Sequence, residues 1–385
     1  MLHVTAKNNR NKYMKYYIIA GEASGDLHGS NLMKALQKQD VNAEFRFWGG
    51  DLMQAVDGTL VTHYKDRSFM GFAEVIFNLR KILGLITFCK NDIEAYQPDV
   101  IIFIDNSGFN LRIAKWAKER DYKTHYYISP QVWASRAGRV EKIKRDVDAM
   151  YVILPFEKEF YKKHGYNVHF VGHPLIDAIS DRQQVDEKTF RKDYNLSDKP
   201  IIALLPGSRK QEITKMLGVM LSLVNDFKTY QFVIAGAPSQ EFSFYKPFIK
   251  QDNVAFISNK TYDLLSVSHA ALVTSGTATL EAALFKVPQV VCYKANSISY
   301  QIAKRIITLK FISLVNLIMD REVVTELIQG DLNTKRLKKE LEKILDDNER
   351  IRLFIDYYDL EKELGGKGAS DNTAKLIFNS IEKQI

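Results

Sequence analysis

Small and charged residues follow several short apolar runs, and these positions are where an α/β enzyme places its chemistry. The first such segment is GEASGD, in which Gly21, Ser24, Gly25 and Asp26 are candidate substrate-binding residues, because small residues there let backbone N–H groups approach a ligand. The start of a helix after such a turn favours an anion. The segment is not G-x-G-x-x-G and no Walker lysine follows. Ser24 and Asp26 can equally cap a tight turn.

Asp105 closes the apolar run VIIFID. A carboxylate is costly there unless it faces a cleft, and partial burial raises a carboxyl pKa toward the range of a general base. Asp105 can also be the N-cap of a helix that starts near Phe109. Spacing alone leaves both interpretations open.

LLPGSRKQE is a third segment, in the second half of the chain. Gly207 and Ser208 open a helix, and Arg209 stands where its guanidinium can hold phosphate oxygens with two hydrogen bonds.

TSGTATLEAALFKVPQVV is the most specific segment. Ser275, Gly276 and Thr277 start a helix whose free N–H groups suit a diphosphate. Glu281, one turn later, can accept hydrogen bonds from both hydroxyls of a ribose. This order is typical of nucleotide-sugar transferases with two Rossmann-like domains, whereas an ordinary capping box is the alternative.

These loops must be positioned by the secondary structure around them. Along the chain, short apolar runs alternate with segments whose apolar residues recur at helical spacing. Runs this apolar are buried on both faces, as in parallel sheets covered by helices, so we predict an α/β fold of βαβ units. The predicted strands are 16–20, 45–49, 100–106, 124–129, 150–154, 169–171, 201–205, 232–235, 254–257, 271–274 and 289–293.

A polar segment over 180–199 marks the predicted domain boundary. We predict a disordered extension over 1–13, an N-terminal Rossmann-like domain over 14–185 and a C-terminal Rossmann-like domain over 196–345. A helical tail over 346–385 packs back on the first domain, and the strands stop near residue 320. Ligands bind at the carboxyl ends of such strands, so two domains that face a cleft bring the loops together.

Length, charge and composition limit the classes of partner and the number of domains that we expect. The 385 residues suffice for about two domains. The net charge of +8 favours anionic partners, but the basic residues are scattered and no recognition motif indicates nucleic acid. Two cysteines, Cys89 and Cys292, give neither a disulfide framework nor a zinc spacing. No apolar run approaches the ~18 residues of a membrane span, so we expect a cytoplasmic protein.

Ordered motifs along most of the chain resemble the lipid-A-disaccharide synthase family, an inverting glycosyltransferase family with the GT-B fold. The motifs are AGEASGDLHG, MGFAEV, PDVIIFID, YYISPQVWA, LPFEKEFY, VGHPL, LLPGSR, SGTATLEA, FISLVNL and REVVTELIQ.

The resemblance implies a reaction between UDP-2,3-diacylglucosamine and 2,3-diacylglucosamine 1-phosphate that forms a β-1,6 linkage and releases UDP in a Gram-negative bacterium. It implies that Asp105 deprotonates the acceptor and that Arg209 stabilises the departing UDP. It also implies that Asn316 and Gln329 line the cleft, that the domain over 14–185 faces the acceptor and the membrane, and that the domain over 196–345 binds the UDP-sugar. The resemblance further implies that the diphosphate and the ribose of the donor are bound by Ser275, Gly276, Thr277 and Glu281. We expect no cofactor and no metal.

The chain departs from the family pattern at a few positions. The family continues A-P-D-F-N after the aspartate, whereas Gly108 stands where its second aspartate belongs. Ser135 replaces a tryptophan, and Val315 replaces a proline before Asn316. These changes suggest a divergent branch with different acyl chains.

Acylated substrates require access to a bilayer, and the segment 70–89 has apolar residues at helical spacing near Arg80 and Lys81. Such a helix can lie in the headgroup region, although the same stripe can be core. The residues predicted to face the membrane are Phe72, Ile76, Leu79, Ile82, Leu83 and Ile86. We expect peripheral association with the cytoplasmic face of the inner membrane, and a homodimer through the tail helices.

Two classes of alternative remain. One is another enzyme on the same fold, such as a UDP-GlcNAc 2-epimerase or a lipid-linked GlcNAc transferase, which would act on non-acylated UDP-sugar. The other is a non-catalytic lipid- or nucleotide-binding module, which would tolerate Asp105→Asn.

Overall fold

The computed structural model describes residues 14–67, 79–135, 137–296 and 309–382. The predicted extension over 1–13 lies outside them. The chain divides into two compact units, and the first combines the residues up to Pro174 with those from Gly368 onward. The second unit is Leu175–Lys367.

The first unit is a parallel sheet in the order β3-β2-β1-β4-β5-β6-β7. Its strands are β1 Lys15–Ala20, β2 Glu44–Gly49, β3 Thr59–His63, β4 Val100–Ile104, β5 Thr124–Tyr127, β6 Ala149–Val152 and β7 His169–Phe170. Its helices are α1 Ala23–Gln39, α2 Asp51–Gln54, α3 Leu79–Tyr96, α4 Ser107–Lys118, α5 Val132–Ser135, α6 Val140–Asp146 and α7 Pro155–Lys163, while α8 Pro174–Ser180 leads into the second unit.

The second unit repeats the architecture in the order β10-β9-β8-β11-β12-β13. Its strands are β8 Ile201–Leu205, β9 Gln231–Gly236, β10 Val254–Ser258, β11 Ser268–Thr274, β12 Gln289–Tyr293 and β13 Glu326–Ile328. Its helices are α9 Glu187–Asp193, α10 Lys210–Leu221, α11 Phe242–Tyr245, α12 Thr261–Ser266, α13 Thr277–Leu284, α14 Leu314–Met319, α15 Thr334–Leu345 and α16 Asp347–Glu363. The last helix, α17 Ala369–Glu382, belongs to the first unit.

The central strands are buried along nearly their whole length, because helices cover both faces of each sheet. Every residue of β4 and of β8 is buried. The predicted α/β fold with two Rossmann-like domains is therefore confirmed.

The C-terminal tail is divided between the units. Ala374, Ile377 and Ile381 of α17 join the core that contains Leu32 and Leu36 of α1, so the end of the chain packs back on the first unit as predicted. The helix α16, which lies within the predicted tail, belongs instead to the second unit. The tail that returns is thus shorter than the predicted segment 346–385.

The predicted boundary over 180–199 is not a linker. This charged segment contains α9, whose Phe190 is buried in the core of the second unit, with Val185, Tyr194 and Leu196 packed against that core. The division at Pro174 follows, because the segment has enough apolar residues to join a core despite its charge.

The strands β3 and β13 were missed. No residue of β3 is fully buried, and β13 has only three residues, so neither gives the long apolar run on which the prediction relied. The prediction that strands stop near residue 320 was therefore wrong.

Candidate active site

The turn between β1 and α1 packs tightly against its neighbours. A Cβ atom at Gly21 would overlap the side chain of Asn106, and one at Gly25 would lie 3.1 Å from the Cβ of Ala20. Ser24 is exposed, and no side chain caps the start of α1. The N–H groups of this helix start are therefore available to an anion, and the predicted role of this turn in substrate binding stays a prediction.

Asp26 supports the next loop. Its Oδ1 accepts hydrogen bonds from the N–H groups of Gly50 (2.7 Å) and Met53 (3.1 Å), and its Oδ2 accepts one from that of Leu52 (3.0 Å). The side chain is buried, and both oxygens are engaged by the protein. We therefore assign Asp26 to the support of α2 rather than to a ligand.

Asp105 lies on a sharp turn between β4 and α4. Asp105 and Asn106 both have left-handed backbone, with φ of 45° and 43°, a conformation that costs roughly 1–2 kcal/mol for a residue other than glycine. The carbonyl of Asp105 accepts hydrogen bonds from Tyr126 Oη and from Asn110 Nδ2 (2.8 Å). These bonds, from β5 and α4, hold the turn in place.

The carboxylate of Asp105 is not the cap of α4. The N-cap is Asn106, and no side-chain hydrogen bond caps the helix. The side chain of Asp105 reaches solvent, but the surrounding protein atoms and, to a lesser degree, the Glu22 carboxylate raise its pKa. The backbone N–H of Asn106 acts in the opposite direction. The geometry thus favours the general-base interpretation over the capping one.

Arg209 follows β8 and remains open to solvent. It is the N-cap residue of α10, and Glu212 returns to it, with 3.3 Å between Arg209 Nη1 and Glu212 Oε1. The Arg209 side chain is 83% exposed. Gly207, with φ of 110°, gives the turn its shape, because a Cβ there would meet Glu212 Oε2 at 2.8 Å. Because the contact with Glu212 engages only Nη1, the other N–H groups of the guanidinium can bind an anion.

The turn after β11, the strand beside β8, presents backbone N–H groups. Gly276 has φ of 134° and open space where a Cβ would stand. It is the N-cap of α13 and supplies no capping side chain, so the alternative of an ordinary capping box does not apply. Thr277 is exposed beside it. Ser275 has a different role, since its Oγ donates to the carbonyl of Ile312 (2.8 Å).

Glu281 lies one turn into α13 and is largely buried. Its Oε1 accepts a hydrogen bond from Tyr262 Oη at 3.0 Å. Burial raises the pKa of Glu281, and the bond from Tyr262 lowers it. The second carboxylate oxygen remains as an acceptor for a ligand hydroxyl.

Asn316 is fully buried, and protein groups satisfy its whole amide. Its Nδ2 donates to the Val324 carbonyl (2.8 Å) and to Glu326 Oε1 (2.9 Å), while its Oδ1 accepts from the N–H groups of Val323 (2.8 Å) and Val324 (3.0 Å). The prediction that Asn316 lines a cleft is corrected, because its side chain stabilises the segment 313–326.

Gln329 follows β13 at the carboxyl edge of the second sheet. Its backbone is left-handed, with φ of 55°. Its buried Nε2 finds no hydrogen-bond acceptor among the described residues. Gln329 therefore keeps a donor for a ligand, and its predicted role stays a prediction.

The helix α3 does not present the predicted apolar stripe to solvent. Ile86 is 7% exposed and belongs to the core, and Ile82 packs against that core. The prediction that these two residues face a membrane is wrong, because their side of the helix covers the sheet. Leu83 is 52% exposed and Phe88, which was not predicted, is 49% exposed. Phe72, Ile76 and the side chain of Leu79 lie outside the described residues.

Sequence reasoning missed a buried carboxyl group at the carboxyl edge of the first sheet. Glu157, in the motif LPFEKEFY, is 1% exposed and accepts a hydrogen bond from Ser129 Oγ. A glutamate two residues after a helix-initiating proline was the available sequence signal.

The described part of the chain contains neither a candidate metal-binding cluster nor a candidate membrane-spanning helix. Within 14–67, 79–135, 137–296 and 309–382, no group of three or more His, Cys, Asp or Glu side chains could hold a metal ion. In the same residues, no helix combines the length and apolar character needed to cross a membrane.

Comparison with known proteins identifies relatives along nearly the whole chain. The family model described as lipid-A-disaccharide synthetase matches residues 16–377. A lipid-A-disaccharide synthase of Syntrophus aciditrophicus is 38% identical over 374 residues, which cover 95% of this chain and 97% of that protein.

Solved structures show the same fold at low sequence identity. The UDP-GlcNAc 2-epimerase from Neisseria meningitidis, bound to UDP-GlcNAc, superimposes with a TM-score of 0.65 at 13% identity, covering 96% of this chain and all of that one. The glycosyltransferase of kitacinnamycin has a TM-score of 0.65 at 13% identity, with 97% and 100% covered. These two similarities concern the fold alone.

The turn at Asp105 yields a prediction about stability. Asn110→Ala removes the amide that bonds the carbonyls of Asp105 and Ile104 (3.2 Å to the latter). Loss of these two hydrogen bonds should lower the free energy of unfolding by about 1–3 kcal/mol, although Tyr126 still donates to the Asp105 carbonyl. Urea unfolding followed by circular dichroism measures it.

Asn91→Ala is the matched control, since Asn91 is exposed on α3. It should change the free energy of unfolding by less than about 0.5 kcal/mol. Equal effects of the two substitutions would contradict the role assigned to Asn110.

Proposed function

This chain belongs to the lipid-A-disaccharide synthetase family, and we propose that it joins UDP-2,3-diacylglucosamine to 2,3-diacylglucosamine 1-phosphate through a β-1,6 linkage. As a member, it is a glycosyltransferase of lipid A disaccharide synthesis. The family match over residues 16–377 carries this conclusion. The alternative of a UDP-GlcNAc 2-epimerase has only the similarity of fold in its favour, at 13% identity.

In the proposed reaction Asp105 is the general base. Its carboxylate removes the proton from the 6-hydroxyl of the acceptor, whose oxygen then bonds to the anomeric carbon of the donor. The bond from that carbon to the diphosphate of UDP breaks, so the configuration inverts. The raised pKa and solvent-facing position of Asp105 support this role.

In the second unit, Arg209 and the start of α13 would stabilise the departing UDP. The exposed guanidinium and the uncapped N–H groups of Gly276 and Thr277 supply positive charge where the leaving group becomes more negative. Glu281 would accept from the ribose through the oxygen that Tyr262 leaves unbonded.

UDP release tests the proposed reaction directly. Asp105→Asn should lower acceptor-dependent UDP release by about 10²–10⁴-fold, because the variant lacks the base, whereas UDP affinity should stay as in the wild type. The measurement uses both acylated substrates, with the acceptor present and absent.

The control is Asp121→Asn, which makes the same substitution at another exposed aspartate with left-handed backbone (φ 61°). It should retain turnover. Release that does not depend on acceptor would point to an epimerase or a hydrolase. Unchanged release in Asp105→Asn would contradict the base or indicate a non-catalytic module.

We propose further that α3 contacts the inner membrane from the cytoplasmic side. The exposed side chains of Leu83 and Phe88 lie on the helix that also carries exposed Arg80 and Lys81. Apolar groups beside cations suit the headgroup region of an anionic bilayer, and both proposed substrates carry acyl chains.

Liposome flotation tests this contact. The double substitution of Leu83 and Phe88 by Ser should remove most binding to vesicles that contain anionic lipid, because it deletes the exposed apolar area of α3. The control replaces Val41 and Leu52, which are 89% and 47% exposed, by Ser. Flotation that survives the first substitution and not the second would assign the contact elsewhere.

A homodimer is also proposed. Ile351, Ile355 and Tyr358 recur at spacings of four and three on α16, and each is more than half exposed. Apolar side chains in one stripe of a helix favour contact with another surface.

Light scattering measures the assembly. The wild type should have twice the mass of one chain, and Ile355→Glu should have the mass of one chain, because a charge in the stripe is costly to bury. Leu52→Glu, at an exposed leucine elsewhere, should remain a dimer. A monomeric wild type at working concentration would refute the proposal.

A further inference from the structure

Glu157 is a buried carboxyl group that the proposed reaction does not use. It is the third residue of α7, and its Oε2 accepts hydrogen bonds from the N–H groups of Ile153 (3.2 Å) and Leu154 (3.0 Å). These bonds fix the start of the helix. Burial raises the pKa of Glu157 to about 7, while its hydrogen-bond donors act to lower it.

The other oxygen of Glu157 reaches the loop after β5. Oε1 accepts from Ser129 Oγ, and both residues are buried. Ile128, which precedes Ser129, has left-handed backbone with φ of 65°. That conformation is a genuine outlier for a β-branched residue, so surrounding contacts must maintain it. The hydrogen bond between Ser129 and Glu157 is one of these contacts.

The segment 129–134, which comprises the loop after β5 and the start of α5, contains Trp133. The indole ring of Trp133 meets the ring of Phe156 edge to face, with 4.9 Å between centroids and 84° between planes. Phe156 directly precedes Glu157 in α7. One carboxylate therefore fixes both members of the aromatic pair, through Ser129 on one side and the helix start on the other.

The aromatic pair lies at the same sheet edge as the proposed base. The strands β4, β5 and β6 are adjacent in this order, and the segments that follow their carboxyl ends carry Asp105, Ser129 and Glu157 respectively. Tyr126 of β5 donates to the Asp105 carbonyl, which joins this strand directly to the turn of Asp105. Both aromatic rings are only partly buried, so each keeps apolar area that a ligand at this sheet edge can contact.

We propose that Glu157 is a positioning residue for the acceptor: it holds the loop 129–134 so that Trp133 and Phe156 pack against the acylated sugar that Asp105 deprotonates. The inference rests on the proposed glycosyl transfer. It assigns to the buried carboxylate an effect on acceptor binding that a simple helix cap would not have.

The test compares Ser129→Ala, Glu157→Gln and Trp133→Ala with the wild type. Each should raise the KM for the acceptor about fivefold or more, through the lost hydrogen bond or ring, with the KM for the donor within about twofold. UDP affinity should not change. Ser30→Ala is the control, because it removes another buried hydroxyl of the first unit, one that donates to the Leu27 carbonyl (2.8 Å).

Thermal unfolding accompanies the kinetics. If Glu157→Gln does not fold, Ser129→Ala decides, since it leaves the bonds from Glu157 to the helix start in place. Folded variants with the wild-type KM for the acceptor would overturn the inference and leave the proposed transfer intact. A wild type without acceptor-dependent UDP release would overturn both.

Discussion

The turn at Asp105 and Asn106 is the constraint on which the first unit depends. Two consecutive non-glycine residues adopt left-handed backbone there, and the hydroxyl of Tyr126 and the amide of Asn110 bond the same carbonyl. Gly21 must lack a side chain, because Asn106 occupies that space. The position of the carboxylate is therefore set jointly by β1, β4, β5 and α4. Adjacent parallel strands make this possible, since their carboxyl ends meet at one edge.

At the carboxyl edge of its own sheet, the second unit presents backbone N–H groups rather than a side chain. Gly207 and Gly276 supply the positive φ there, and open space surrounds Gly276. A glycine turn exposes backbone N–H groups to a ligand without strain, whereas the turn of Asp105 accepts strain in order to present a side chain. In the proposed reaction, the first unit would supply the base and the second would bind the anion.

The sequence predicts the buried framework well and the contacts of polar residues poorly. Strands covered on both faces consist of continuous apolar residues, which are easily recognised in the sequence. By contrast, β3 is too exposed and β13 too short to give such an apolar run. Ile86 and Leu83 are both apolar residues of α3, yet one joins the core and the other faces solvent. Periodicity gives the stripe, but only the packed sheet decides which part of it is covered.

Polar residues of the sequence motifs differ in whether the protein already satisfies their hydrogen bonds. Both oxygens of Asp26 and the whole amide of Asn316 are bonded internally, so these side chains shape loops. Arg209 and Gln329 retain donors that no described group uses fully. A sequence motif contains residues that stabilise a loop as well as residues that can contact a ligand, and the motif alone does not distinguish them. Separating them requires the complete set of hydrogen bonds, which follows from the fold and not from spacing.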